Sequence, residues 1–313
     1  MTTSDYAVSG RAGALPQFVA AGEALTDLIV AGEGHAQWRS QTGGSTWNVA
    51  RAMARLGVPS AFAGAISEDV FGDALRDASA NADLDLRFLQ RYPKAPLLAI
   101  VHRTDPPAYF FIGDDSADLH FDAARLPDGW QRHCRWAHFG GISLAREPLA
   151  GKLVALAEQL KRDGVGISYD PNFRALMDER YDATLRRMTE LADVIKVSEE
   201  DLEGLFRSPD TDAALATLRS WNPGATVLYT KGAQGASLLV GDEQWHAAAP
   251  RIAVVDTVGA GDASIAALVY SLLHHSAYGA PEHVRFAVAA GAAACQQAGA
   301  TPPSVADITA LLG

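Results

Sequence analysis

Val255-Asp256-Thr257-Val258-Gly259-Ala260-Gly261-Asp262 is the stretch that decides the reading of this 313-residue chain. Gly259 and Gly261 leave the backbone bare, and an acid follows at once. Behind it, Ala263-Ser264-Ile265-Ala266-Ala267-Leu268-Val269-Tyr270-Ser271-Leu272-Leu273 reads as a buried helix with no internal Gly or Pro. Glycines that free consecutive N–H groups at a helix start make an anion site, because unpaired amides and the positive end of the dipole converge there. A carboxylate on that first turn would sit beside a bound phosphate and repel it. Such an arrangement makes sense where the acid takes a proton from an attacking hydroxyl. Taken alone, Gly-x-Gly-Asp would also read as a helix start with an ordinary capping acid.

Working outward, strands and helices alternate from Trp136 on, as a parallel sheet requires. Trp136 to Phe139 leads into Gly140-Gly141-Ile142-Ser143, Leu149 to Leu160 is a helix, and Val165 to Tyr169 is a strand ending in Asp170-Pro171-Asn172-Phe173-Arg174. Val194 to Val197 is another strand; Ser198 then caps a helix whose first turn holds Glu199, Glu200 and Asp201. Val227 to Tyr229 ends in Thr230-Lys231-Gly232-Ala233-Gln234-Gly235, and a helix over 282–297 leads to Ala298-Gly299-Ala300-Thr301-Pro302.

The first half is less regular. Leu15 to Ala21, closed by Gly22, looks like the first buried strand, and Asp27 follows where open α/β sheets place ligands, beyond a strand's carboxyl end. Gly43-Gly44 lets the backbone approach a ligand, and Asn48, entering a helix that stops at Gly57, offers hydroxyls a donor and an acceptor. His35 to Gln41, Pro96 to His102 and Ala108 to Ile112 are short apolar runs between turns, not βαβ units.

Composition narrows the class. Hydrophobic residues at 48% and charged residues at 20% describe a soluble globular protein with ample core. A net charge of −11 argues against a nucleic-acid partner, which needs a basic surface, and leaves a local ATP site open. Cys134 and Cys295 form no CxxC, which argues against a zinc cluster or disulfide framework and fits a reducing compartment. No apolar run reaches the roughly 18 residues of a membrane span, and Met1 to Arg11 lacks the apolar core of a signal peptide, so the cytoplasm is expected. Residues 1–14 read as a frayed tail, no repeat is seen, and no Walker A motif is present.

Asp256-Thr257-x-Gly259-Ala260-Gly261-Asp262 resembles the second signature of the ribokinase-like (PfkB-type) carbohydrate kinases, and Gly43-Gly44 with Asn48 resembles their first. The resemblance runs over residues 18–312. It implies an α/β fold, a ribokinase-like three-layer α/β/α domain over 15–313 with a mostly parallel sheet. A small β-sheet lid would come from residues 28–42 and 94–120. By resemblance, the amides of Gly259, Ala260 and Gly261 form the anion hole and Asp262 is the base. Asp27, Gly43, Gly44 and Asn48 would hold the sugar, with Asn172 and Arg174 approaching the substrate and phosphate end. Ser198, Thr230, Lys231, Gly232 and Gly235 would line the ATP site, and Asp201 would help organise Mg²⁺ and its waters. Asp256 and the carbonyls of Val258, Ala294, Gln297 and Gly299 stand where the family holds a monovalent cation, K⁺.

Several strings look like the fructokinase-like branch: Gly22-Glu23-Ala24-Leu25-x-Asp27, residues 141–148, Lys196-Val197-Ser198-Glu199-Glu200-Asp201, and Gly299-Ala300-x-Pro302-Pro303. The chain departs from the family at Thr46, Trp47, Ser67 and Ser264. Tyr109 to Asp118 resembles the lid of fructokinases and 2-keto-3-deoxygluconate kinases, with Gly113 where an Arg usually stands. That loss of a cation counts against an acidic sugar. The expected activity is ATP-dependent phosphorylation of a sugar hydroxyl, with ribokinase, nucleoside kinase and 2-keto-3-deoxygluconate kinase as alternatives. The rival of another class is a non-catalytic sugar-binding sensor, motivated by the departures. A lid with strand edges also invites a homodimer.

Overall fold

The protein is described by a computed structural model over residues 14–32, 35–104 and 107–312; the expected tail, 1–14, lies outside the described residues except for Ala14. Thirteen strands divide between two sheets among the described residues. The small one is built from β2 (Leu25–Ala31), β3 (Gln37–Gly43), β6 (Leu98–Thr104) and β7 (Pro107–Ile112), in the order β3-β2-β6-β7. The large one takes β1 (Phe18–Ala21), β4 (Ser60–Ser67), β5 (Leu89–Tyr92), β8 (Trp136–Gly140), β9 (Gly166–Asp170), β10 (Val194–Ser198), β11 (Thr226–Thr230), β12 (Ala236–Val240) and β13 (Glu243–Ala247). Its order is β13-β12-β11-β10-β9-β8-β1-β4-β5, parallel from β11 to β5 and antiparallel at β12 and β13.

Every residue of β1 and β4 is buried, as strands covered by helices on both faces must be. One face carries α3 (Leu149–Arg162), α4 (Asp182–Leu191), α5 (Glu199–Phe206) and α6 (Thr211–Trp221). The other carries α1 (Ser45–Arg55), α2 (Val70–Asn81), α7 (Ala260–His274), α8 (Ala280–Ala294) and α9 (Val305–Ala310). Alternation along the strands sorts side chains between the two. Phe139, Ile167, Tyr169, Ile195 and Val197 join the core under α3–α6, which turns the buried polar residues His138, Ser168, Asp170 and Lys196 toward the α1 and α7 side.

From β1 the chain moves one way to β4 and β5, then returns to β8 on the other side of β1 and continues through β9, β10 and β11. The strand order therefore reverses between β1 and β8, and ligands in such sheets bind outside the carboxyl ends at that crevice. Gly22-Glu23 and Gly140-Gly141 follow those two ends. Asp27 lies inside β2 rather than in a turn, and the helix over 282–297 ends at Ala294, which leaves Gln297 in the turn beyond. Beyond Ile112 the chain leaves the small sheet, and Leu119 and Phe121 are buried in the core of the large one.

Candidate active site

Two helix starts meet above the large sheet. Gly259 caps α7 in the left-handed region at φ 81°, and a Cβ there would run into Ala300. Ala260 N–H turns back to Thr257 O at 3.3 Å, while the amides of Gly261 and Asp262 take no acceptor among the described residues. Helix α1 begins after Gly44, whose φ of 114° likewise suits glycine. Packing α1 against α7 brings Ser45 Oγ to 2.7 Å and Asn48 Nδ2 to 2.9 Å from the two oxygens of Asp262. Burial pushes the Asp262 carboxyl above its ordinary range, against those two donors and the charges of Lys196 and Arg174. A buried carboxylate with two side-chain donors therefore lies beside free amides, an arrangement that can accept a proton next to a bound anion.

At the other end, Asp27 sits on β2 opposite Gln41 of β3. A side chain at Gly43 would collide with its carboxylate, so glycine there keeps Asp27 free. Burial raises the Asp27 carboxyl to about 6, against the opposing charge of Arg174. Arg174 donates to Asn172 Oδ1 at 2.7 Å, and its guanidinium carbon lies 5.9 Å from the centre of the Tyr109 ring. Asn172 takes a left-handed φ of 47° that turns the chain after β9. Asp27 therefore lies at one end of the cleft and Asn48 with Asp262 at the other, and Arg174, held by Asn172, acts on both carboxylates.

The remaining expected residues occupy neighbouring loops. Ser198 and Asp201 form a reciprocal capping box on α5. Thr230 Oγ1 is 3.5 Å from Val197 O, and Lys231 Nζ lies 3.5 Å from Glu199 and 4.7 Å from the centre of the Tyr229 ring. Gly232 at φ 50° and Gly235 at φ 93° make the turn, the latter packed on Ala247. Asp256 accepts from Val258 N–H at 3.1 Å and from Gly299 N–H at 2.9 Å, tying together two of the segments whose carbonyls the resemblance assigns to a cation. An all-oxygen donor set of this kind fits a hard cation. Asp201 fits a metal only indirectly, since Phe173 N–H, Ser198 N–H and Lys196 Nζ already occupy its oxygens. No cluster of three or more His, Cys, Asp or Glu fit to hold a metal occurs among the described residues.

Sequence reading overlooked three functional groups. Ser45 stands in the first signature, yet only the α1–α7 packing reveals it as a donor to Asp262. Glu23, in the crevice between β1 and β8, accepts from Ser45 N–H and Ser143 N–H, both at 3.2 Å. Burial raises its carboxyl to about 7, despite those bonds. Lys196 lies 3.2 Å from both Asp170 and Asp201, with all three buried. A signal existed for two of them: a charged residue inside an otherwise apolar run, Val194-Ile195-Lys196-Val197, or next to one, Val19-Ala20-Ala21-Gly22-Glu23.

The departures from the family pattern are accommodated within the molecule. Thr46 Oγ1 donates to Glu23 O at 2.9 Å in space left by Gly22. Trp47 donates to Ser79 Oγ at 2.9 Å, and the Arg51 guanidinium lies 4.3 Å from its ring centre. Ser67 Oγ donates to Asp69, the cap of α2, at 2.6 Å. Ser264 Oγ donates to Ala260 O at 2.9 Å and packs against Gly291. Near Gly113 there is an arginine after all. Arg146 reaches over from the loop after β8, bonds to Gly113 O and Ser116 Oγ, and pairs with buried Asp118.

Comparison with known proteins agrees with this geometry. A fructokinase of Klebsiella pneumoniae is 33% identical over 89% of this chain and 90% of its own length. The crystal structure of a Xylella fastidiosa fructokinase with bound ATP superposes with a TM-score of 0.85 at 26% identity, covering 95% of this chain and 98% of that one. A Vibrio cholerae fructokinase in fructose, ADP and calcium ion bound form gives 0.82 at 29% identity, covering 95% and 99%. The family model of the pfkB carbohydrate kinases matches residues 16–307, and the chain belongs to that family of ATP-dependent sugar kinases.

Proposed function

We propose that this kinase moves the γ-phosphoryl group of ATP to a primary hydroxyl of a neutral sugar, with fructose as the first choice. The observation that carries the reading is the Asp262 carboxylate, buried at the head of α7, held by Ser45 and Asn48, beside free backbone amides. Asp27 and Asn48 hold sugar hydroxyls, Gly43 and Gly44 let the backbone close on the ring, and Asn172 and Arg174 bridge the two ends of the cleft. Asp262 accepts the hydroxyl proton as its oxygen attacks phosphorus, and the amides of Gly259, Ala260 and Gly261 stabilise the charge on the moving group. Ser198, Thr230, Lys231, Gly232 and Gly235 line the nucleotide. Mg²⁺ carried by ATP neutralises phosphate charge, with Asp201 supporting it from behind, and a K⁺ ion at Asp256, Val258, Ala294, Gln297 and Gly299 stiffens the turn.

The arginine near Gly113 favours a neutral acceptor. Its guanidinium is already bonded to Asp118, Gly113 O and Ser116 Oγ, so those donors are taken where a substrate carboxylate would need them. The domain spans 15–313, with the lid drawn from 28–42 and from 94 up to the end of β7 at Ile112. Its exposed Trp38, Phe110 and Ile112 would pair in a homodimer. Free Cys134 and Cys295 fit the reducing cytoplasm.

The test is ADP production across fructose, ribose, other ketoses, nucleosides and 2-keto-3-deoxygluconate, with Mg²⁺ and with or without K⁺. Strong turnover on one neutral sugar, lost in Asp262→Asn, is expected. Binding of a sugar without turnover on any would replace the reading with a sensor.

A further inference from the structure

We infer that Lys196 supplies side-chain positive charge to the phosphoryl seat from behind the Gly259–Gly261 turn. This rests on the reading of that turn as the seat and of Asp262 as the base. Lys196 is the one lysine among the described residues that is buried, at 6% exposure, and strand alternation aims it at the head of α7. A Cβ on Gly261 would come within 3.3 Å of its ammonium, which places the charge against the backbone of the turn itself. Asp170 at the end of β9 and Asp201 in the first turn of α5 each hold the ammonium at 3.2 Å, and Asp201 is in turn pinned by the amides of Ser198 and Phe173. The ammonium is thereby fixed in place before any ligand arrives, which is the condition for electrostatic preorganisation.

Among the described residues no other cation comes within 4 Å of a Cβ built on Gly261. Lys231 is paired with Glu199, Arg146 with Asp118, Arg174 is bonded to Asn172 toward Asp27, and Arg51 donates to Ala300 O at 3.3 Å. Here two carboxylates surround one lysine, so its charge is held firmly in the protonated form through the reaction. In the transfer, the acceptor oxygen–phosphorus bond forms, the bond from phosphorus to the bridging oxygen breaks, and its electron pair leaves on ADP. The proton goes to Asp262, and Lys196 exchanges none.

The measurement compares two variants in the presence of sugar and Mg²⁺. Asp170→Asn serves as the reference, and Lys196→Met is added to it so that no buried carboxylate is stranded without a partner. The double variant is expected to bind ADP within about threefold of the reference while losing roughly 10²–10³-fold in kcat. It should also lose most of the extra calorimetric affinity that aluminium fluoride, a mimic of the phosphoryl in flight, adds to ADP. Lys196→Gln in the otherwise native chain is the second variant, since an amide keeps donors to the carboxylates and drops only the charge; the same losses are expected. A folded double variant with kcat within threefold of its reference, or a Gln variant that binds ADP with aluminium fluoride as the native chain does, overturns the inference. If Asp262→Asn itself retains turnover, the underlying reading of the seat fails instead.

Discussion

In the proposed reading, the reacting groups at the phosphate end of the cleft sit on one helix start, whereas at the sugar end they are gathered from separate pieces of chain. On that reading the phosphate end uses the main-chain turn Gly259–Gly261, where the amides of Gly261 and Asp262 take no acceptor among the described residues, with one acid three residues from the cap. Its geometry is set by α7, which is buried without interruption from Asp262 to Val269. The sugar end uses side chains: Asp27 from β2, Arg174 from the turn after β9, and Tyr109 from β7. Two of these ride on the small sheet, whose strand β3 is largely exposed. Rigid main chain suits a transfer chemistry common to every substrate, and side chains on a lightly packed sheet suit selection among sugars.

If that division is right, changes at the phosphate end move kcat and changes at the sugar end move KM. The largest effect is expected from Asp262→Asn, a loss of about 10²–10⁴-fold in kcat with sugar and ATP binding kept, read by steady-state kinetics with calorimetry. Turnover near normal would remove Asp262 from the base role. Next comes Gly259→Ala. A side chain at φ 81° that also meets Ala300 costs about 1–3 kcal/mol, so kcat should fall roughly ten- to a hundredfold while sugar KM stays put. Asp27→Asn is expected to do the reverse, raising sugar KM about ten- to a hundredfold through a lost charged hydrogen bond and leaving kcat within a few-fold. A kcat loss matching that of Asp262→Asn would dissolve the distinction between the two ends.

The same contrast explains what the sequence could say. The phosphate end is contiguous, so Asp256 to Asp262 could be read as one string with a mechanism attached. The parallel sheet was legible too, because buried strands such as Val194 to Val197 stand out from the helices between them. Ser45 and Glu23 escaped because their partners Asp262 and Ser143 lie 217 and 120 residues away, and Lys196 because its meaning depends on Asp170 at a neighbouring strand end. Gly113 was read correctly as lacking a side-chain cation, but Arg146, 33 positions on, refills that space and is neutralised there. Such long-range compensation leaves no local mark. The edge strand β13, mostly exposed and polar, showed too little apolar alternation to be seen.

Asp27 also makes the sugar end answer to pH. Its folded carboxyl titrates at about 6, and only the ionised form accepts from two hydroxyls. kcat/KM for the sugar should therefore fall as pH drops through 6. In Asp27→Asn the limb that remains is that of Asp262, whose burial also raises it. An acid limb unchanged by Asp27→Asn would assign the whole pH dependence to the phosphate end.

Glu23 gives the finest test, because it ties the phosphate end to the loop after β8: one of its amide donors belongs to Ser45, which holds Asp262, and the other to Ser143. Its carboxyl is raised by burial from 4.5 to about 7, so between those values the folded protein binds a proton that the unfolded chain has released. Stability from this group is full below 4.5 and declines as pH rises toward 7, by roughly 1 kcal/mol per pH unit. His138 acts in the opposite sense, since burial lowers it from 6.5 to about 3 and stability is lost as pH falls below 6.5. In the native chain the two slopes oppose each other where they overlap. Glu23→Gln mimics the protonated acid at every pH and removes only the first slope. Urea denaturation of the variant should match the native chain near pH 4.5 and gain on it steadily up to pH 7. A stability difference that stays constant over that range would mean that Glu23 is already ionised at its post, and that the crevice between β1 and β8 holds a charge its two amides fully support.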